Sequence, residues 1–370
     1  DDPGWTQPWG GTSPTWHKRG DQYYYGIFWG GMPDFNFRNP EVMAEAKAIA
    51  RHWLDRGVDG FRLDAARHLI ESGPGQQQND TPETHEAWRD FSAFMRAEYP
   101  DRLMLGEIWA DSPEIAPYYG DIKAVAGGDE FAMTFNFPLA GGAIQAVNLA
   151  DSGPLVAALT KVRTLYPAGV LDGTFLANHD MTRLATQPGT DPAKVRPAVA
   201  VLMTLPGTPW LDYGEEVGML NGPTGDDEDK RTPMPWTDSD SGFTAGVPWH
   251  RFAPGRETAN VAAQLEDPGS LLSRYRQLIH QRTSQAALSH GDLVPVQLNG
   301  APRDVVAWER ISGMSRLLVI HNLSGEAQTA TWATDGTGGY ELVFGDPGVG
   351  LPAAGGITMP AHATGIWRVF

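Results

Sequence analysis

Three carboxylates stand at the C-terminal ends of short apolar runs: Asp64 after Val58–Leu63, Glu107 within Leu103–Ile108, and Asp180 after Thr174–Ala177. In parallel α/β barrels that end of the strands carries the active site, because the loops converge there on a rigid frame. Position alone is equally consistent with each acid capping the helix that follows. The local contexts add chemistry. Arg62 and Asp64 are two residues apart on one strand and leave it on the same face. A guanidinium there would hold Asp64 ionised, as a nucleophile requires. Glu107 sits between Gly106 and the pair Ile108-Trp109, apolar surroundings that would raise its pKa toward that of a usable acid. Asn178 and His179 place donors beside Asp180, suited to gripping hydroxyls. One ionised, one protonated and one orienting carboxyl are the equipment of glycoside hydrolysis with retention.

The elements that must position these acids alternate between strand and helix. A helix starts at Pro40-Glu41, with Pro in the first turn and Glu beside the positive end of the helix dipole, and stops at Gly57. Strands are expected at Val58–Leu63, Leu103–Ile108, Phe131–Phe137, Thr174–Ala177 and Trp210–Tyr213. Helices are expected near Glu83–Glu98, Pro154–Leu165, Ala193–Leu205 and Ser270–Arg282. This alternation indicates a parallel sheet covered by helices. Residues 1–40, rich in Trp, Tyr, Gly and Pro, read as loop. From about residue 287 the pattern becomes short strands between Gly, Pro and Asn turns, a small antiparallel domain.

Composition bounds what the site can act on. The 370 residues carry 28 basic and 45 acidic side chains, a net charge of −17, which argues against nucleic acid or an anionic membrane as the main partner. There is no cysteine, so disulfides and thiolate metal sites are excluded. No apolar run is long enough to span a bilayer. The start at Asp1-Asp2-Pro3-Gly4 reads as a cleavage or processing point.

The motif around Asp64, Gly57-Val58-Asp59-Gly60-Phe61-Arg62-Leu63-Asp64-Ala65, resembles the nucleophile segment of glycoside hydrolase family 13, the α-amylase family. Gly106-Glu107-Ile108-Trp109 resembles its acid/base segment, and Phe175-Leu176-Ala177-Asn178-His179-Asp180 its transition-state-stabiliser segment. Met32-Pro33-Asp34-Phe35-Asn36 is similar to a fifth family segment. The resemblance implies a (β/α)8 barrel followed by a small antiparallel β-sandwich domain. Residues 1–40 would be the remnant of the inserted loop domain, residues 41–286 the C-terminal part of the barrel, and residues 287–370 the terminal β domain. It also implies Asp64 as nucleophile, Glu107 as acid/base and Asp180 as the group holding the distorted sugar, helped by Arg62 and His179. The two working carboxyls would then lie about 5–5.5 Å apart.

The same resemblance assigns Arg67 and His68 to the leaving-group side, with the His68 main-chain carbonyl as a ligand of a structural calcium ion. The bland reading of that pair is a helix start with two solvated basic side chains. Asp212-Tyr213-Gly214-Glu215-Glu216 and Lys230-Arg231-Thr232-Pro233-Met234-Pro235-Trp236 look instead like oligo-α-glucosidase loops and bring Arg231 into the site. Trp109 is the best sugar-stacking candidate; Trp5, Trp9, Trp16 and Trp29 are at least as consistent with ordinary packing. Asp226–Asp229 lacks the spacing of a calcium loop and reads as a solvated acidic loop.

The chain departs from the family in one large respect. No segment matches the expected Asp-x-x-x-x-Asn-His pattern, and about five strands precede the terminal domain where a closed barrel needs eight. The expectation is therefore a C-terminal portion of the enzyme, completed by a separate N-terminal fragment. The expected activity is cleavage of α-1,4 links in starch or maltooligosaccharides. The alternatives are an α-glucosidase or glucosyltransferase on short α-glucosides and, from another class, a non-catalytic amylase-like binding subunit. A zinc-type hydrolase lacks the clustered imidazoles it would need. No organic cofactor is implied, and a secreted or periplasmic location is favoured for such a substrate.

Overall fold

The computed structural model describes residues 2–187, 192–239, 242–334 and 338–370, so Asp1 lies outside the described residues. The chain forms two compact units: Asp1–Phe135 with Val162–Asp172, and Asn136–Lys161 with Gly173–Phe370.

The first unit opens with an antiparallel hairpin, β1 (Trp16–Arg19) and β2 (Gln22–Tyr25), within the stretch read from sequence as loop. Its turn is Gly20-Asp21, with Gly20 at φ +62, a conformation that suits a two-residue hairpin turn and that glycine adopts without strain. Helix α1 (Pro40–Leu54) starts where Asn39 accepts from the Glu41 N–H with Pro in the first turn. Strand β3 (Gly60–Leu63) is followed by α2 (Pro82–Glu98), capped by Thr81, then β4 (Leu103–Gly106), the short α3 (Ser112–Ile115) and β5 (Met133–Phe135). Strands β3 and β4 pair in parallel, as do β4 and β5. Trp88, Phe91, Phe94 and Met95 of α2 form a core with Met104, Ile108 and Phe131. Each such buried side chain contributes about 1.5–3 kcal/mol.

The second unit begins with α4 (Phe137–Leu149), a helix the sequence reading does not contain. Eight of its residues are buried, so it shows no polar face to reveal its period. The unit boundaries fall inside α5 (Gly153–Leu165) and β6 (Leu171–Thr174). Next come α6 (Pro192–Thr204), β7 (Thr208–Pro209), α7 (Asp227–Lys230), α8 (Val261–Gln264), α9 (Leu271–Ser284) and α10 (Ala286–His290). Strands β6 and β7 pair in parallel; β6 shares only Thr174 with the strand expected at Thr174–Ala177, and β7 lies wholly before the one expected at Trp210–Tyr213. Five parallel strands thus occur among the described residues.

The terminal β domain belongs to this second unit. Strands β8 (Asp292–Pro295), β9 (Val305–Ser312) and β10 (Ser315–Asn322) are joined by β11 (Gln328–Thr331), β12 (Tyr340–Gly345), β13 (Gly356–Met359) and β14 (Thr364–Val369). One antiparallel sheet has the order β12-β14-β10-β9-β8, and β11 pairs with β13. Strand β13 is absent from the sequence reading. Side chains of β10 alternate between two cores: Leu318 and Ile320 pack with Ala330, Ile357 and Met359, and Leu317 and Val319 with Val199, Leu202, Tyr275 and Leu278. Burial on both faces explains its unbroken apolar run. No helix among the described residues is long and apolar enough to cross a membrane.

Candidate active site

Asp64 and Glu107 occupy the first positions beyond a matched ladder. Its last register pair is Leu63 with Gly106, so the two acids follow on neighbouring parallel strands. Backbone bonds carry the pairing past the strand ends, from Glu107 N–H to Leu63 O (3.0 Å) and from Ala66 N–H to Glu107 O (3.1 Å). Gly60 starts the ladder at φ +155, where an added Cβ would fall 2.3 Å from the Leu103 carbonyl oxygen. Only glycine lets the strands come together in this register.

The chain turns sharply after Asp64. Ala65 adopts a left-handed conformation (φ 45, ψ 40), unusual and costly for a residue with a Cβ. The turn aims the Ala65 N–H at Glu107 Oε2, 3.1 Å away, and Trp88 Nε1 ties down the Ala66 carbonyl at 2.8 Å. Strain next to a candidate nucleophile is held by bonds to the candidate acid/base.

Arg62 joins the two acids. Its Nη1 pairs with Asp64 Oδ1 while Nη2 lies 2.6 Å from Glu107 Oε2. The sequence reading placed the guanidinium beside Asp64 and expected only apolar neighbours around Glu107. Burial of Glu107 is as expected, with 7% of its side chain exposed against 65% for Asp64. Its surroundings are not, because a guanidinium and a backbone N–H both donate to Oε2. The strand geometry accounts for this: Arg62 points to the same face as both acids and is long enough to reach across.

The remaining candidates of this unit fall into two groups. Arg67 donates through Nε and Nη2 to Asp80 and through Nη1 to the Trp109 carbonyl (2.9 Å), so it fixes the segment after Glu107. His68 meets the rings of Trp9 and Phe28 edge-on at 5.6 and 5.8 Å. Burial, with Arg67 nearby, lowers its pKa to about 4, so the imidazole is neutral at neutral pH. Trp9, Trp29 and Trp109 are exposed. Trp5 and Trp16 pack edge-on against each other and against Tyr25.

In the second unit, Asp180 follows β6 and is held by a cation from a later loop. Arg231 Nη2 pairs with Asp180 Oδ1, and Arg231 Nε donates to the His179 carbonyl at 3.0 Å. His179 Nε2 lies 3.1 Å from Asp180 Oδ2, and Lys230 Nζ donates to the Asp180 carbonyl at 3.1 Å. Of the run read as a solvated acidic loop, Asp229 is fully buried. It accepts from the Thr224 and Gly225 N–H groups and pairs with His250 at 2.9 Å and Arg251 at 3.2 Å. The Thr224 and Gly225 N–H groups, the His250 imidazole and the Arg251 guanidinium account for its burial.

Sequence reasoning missed Arg183, three residues after Asp180, whose guanidinium is 2% exposed. It also gave no sign that Glu215 is buried against the Tyr275 hydroxyl, with its pKa pushed up to about 8 by burial.

Among the described residues no group of three or more His, Cys, Asp or Glu is arranged to hold a metal ion.

The sequence of the whole chain decides the family. The model of the alpha amylase catalytic domain matches residues 1–291. The chain belongs to the alpha-amylase family. A second family model, the C-terminal domain of alpha-amylase SusG, matches residues 305–366 within the antiparallel domain. Alpha-amylase 3 of Dictyoglomus thermophilum is 33% identical over 84% of this chain and 59% of its own length. Trehalose synthase of a Pimelobacter strain is 32% identical over 84% of this chain and 62% of its own. The chain thus spans about three-fifths of the length of these relatives. A crystal structure of an alpha-amylase from H. orenii superposes with a TM-score of 0.82 at 30% identity, covering 96% of this chain and 70% of that one. The trehalulose synthase MutB from Pseudomonas mesoacidophila gives a TM-score of 0.84 at 26% identity, covering 99% and 75%. Parallel strands with helices followed by an antiparallel domain are therefore the alpha-amylase family fold, the α/β class with a barrel expected from sequence.

Proposed function

We propose that this chain carries the catalytic machinery of a retaining glycosidase that cleaves α-1,4-glucosidic bonds of starch or maltooligosaccharides. The observation that supports this most is the Arg62 fork, which holds Asp64 and Glu107 on the two nitrogens of one guanidinium. Two carboxyls sharing one guanidinium suit a retaining enzyme, whose working carboxyls stand about 5–5.5 Å apart.

In the first step an Asp64 carboxylate oxygen bonds to the anomeric carbon as the bond to the leaving oxygen breaks. That oxygen takes the proton of Glu107. In the second step Glu107, now a carboxylate, takes a proton from water. The water oxygen bonds to the anomeric carbon, and Asp64 leaves as a carboxylate. Asp180, oriented by Arg231, binds hydroxyls of the distorted sugar. Product analysis on maltoheptaose tests the reading. Maltose and maltotriose support it, glucose alone favours an α-glucosidase, and products longer than substrate favour glucosyl transfer. The second reading draws support from relatives named trehalose synthase and glucan 1,6-alpha-glucosidase.

The active enzyme also contains a separate N-terminal fragment in this reading. Strand β3 pairs only with β4 among the described strands and leaves one edge open for further pairing. Intact mass under native and then denaturing conditions tests it: a second polypeptide released on denaturation is expected, and full activity from one polypeptide of 40.2 kDa overturns it.

A further inference from the structure

We propose that Arg183 is a positioning residue for Asp180, acting through Arg231. The inference rests on the reading of Asp180 as the group that stabilises the transition state. Arg183 Nε donates to the Lys230 carbonyl at 2.8 Å and Nη1 to the Tyr213 carbonyl at 2.6 Å. Its guanidinium lies over the Tyr213 ring at 4.6 Å, and its backbone N–H donates to Asn221 Oδ1 at 2.9 Å. The Tyr213 hydroxyl in turn donates to the Thr232 carbonyl at 2.7 Å. The carbonyls on either side of Arg231 are therefore both anchored, one by Arg183 and the other by the tyrosine that Arg183 covers. Arg231, between those anchors, is the residue that grips Asp180 and the His179 carbonyl. The bonds close a circuit that leaves the chain at residue 180 and returns to it at residue 183.

Stability alone is a poor reason for an arginine at this position. Its Nη2 is buried without a hydrogen-bond partner, and so is Oδ2 of Asp212, which lies 3.4 Å from Nη1 as an ion pair. Burying a guanidinium with an unsatisfied donor is costly, and an apolar side chain of similar volume avoids that cost. Anchoring two carbonyls while stacking on a ring, however, requires the planar fork of arginine.

The test is a double-mutant cycle in the full-length enzyme, with Arg183→Gln and Arg231→Gln alone and together. Melting temperature, kcat and KM on a maltooligosaccharide are read for each. Arg183→Gln should lower kcat about 10- to 100-fold, the scale of a misplaced catalytic group, and change KM less than about threefold. In the Arg231→Gln background it should lower kcat less than about twofold, because the route through Arg231 is already broken. Arg183→Lys, which keeps the charge and loses the fork, should fall between. If Arg183→Gln does not fold, Tyr213→Phe replaces it, since it removes only the anchor on Thr232. Multiplying effects of the two substitutions, or a lowered melting temperature with wild-type kcat, overturn the proposal. Asp180→Asn separates this from the reading beneath it. Wild-type kcat in that variant sinks the role of Asp180, whereas a large loss there with a multiplicative cycle sinks only the role of Arg183.

Discussion

Two arginine–carboxylate arrangements in this chain are fixed in different ways. Arg62, Asp64 and Glu107 stand at the ends of two hydrogen-bonded strands, so the ladder sets their spacing before any side chain is placed. Asp180 lies six residues beyond the end of β6, and its cation comes from a loop about fifty residues later in the chain. Its geometry depends on side chains bonded to carbonyls, above all Arg183 and Tyr213. A strand-end pair tolerates changes around it, whereas a loop-borne pair is as good as the bonds that hold the loop.

The largest effect expected is from Asp64→Asn, which removes the proposed nucleophile and keeps its shape. kcat should fall at least about 10⁴-fold while binding of a maltooligosaccharide persists; turnover at the wild-type rate would end the assignment. Glu107→Gln should cost about 10²–10⁴-fold on natural substrates and distinctly less in the first step on substrates with good leaving groups. Equal losses on both kinds of substrate would argue against an acid role. The comparison is sharpened by Arg62→Lys and Arg231→Lys. The first leaves one point charge where a fork serves two carboxylates and should cost kcat about 100-fold; the second should cost about tenfold. The reverse order would show that the loop-borne pair matters more.

Away from both carboxylate arrangements, a further effect is on stability and leaves kcat unchanged. Glu215 has a folded pKa of about 8 against an ordinary value of 4.5. Between those values the native state holds a proton that the unfolded chain has lost, so stability falls as pH rises through that window. Glu215→Gln should remove this fall and raise the melting temperature more at pH 8 than at pH 5, by an amount equivalent to about 2–4 kcal/mol. His321, buried and depressed to about 3, acts in the opposite sense, since stability is lost as pH falls from about 6.5. Equal gains at both pH values would show that Glu215 is already ionised in the native state.

The legible parts of this molecule were local. Pro40-Glu41 announces the start of α1, which the structure shows capped by Asn39, and the helix near Glu83–Glu98 is α2, capped by Thr81. Asp64 and Glu107 were found because their neighbours form strands whose ends are readable within about ten residues. Where burial is complete the pattern fades. α4 carries Gly141-Gly142 and apolar residues on all sides, and Gly142 is small because the Pro154 carbonyl would lie 2.9 Å from a Cβ there. The run Phe175-Leu176-Ala177 is buried like a strand, yet β6 has already ended at Thr174.

The sequence by itself determined the types and order of the acids, the start of α1 at Pro40 and the change to short antiparallel strands, because each depends on residues close together in the chain. Only the tertiary structure decided that Arg62 serves Glu107 as well as Asp64, that Asp229 is buried among donors, and that Arg183 anchors the segment holding Arg231. Those contacts join residues about 20 to 50 positions apart. Local propensity carries no information about such pairs; packing and the reach of each side chain select them.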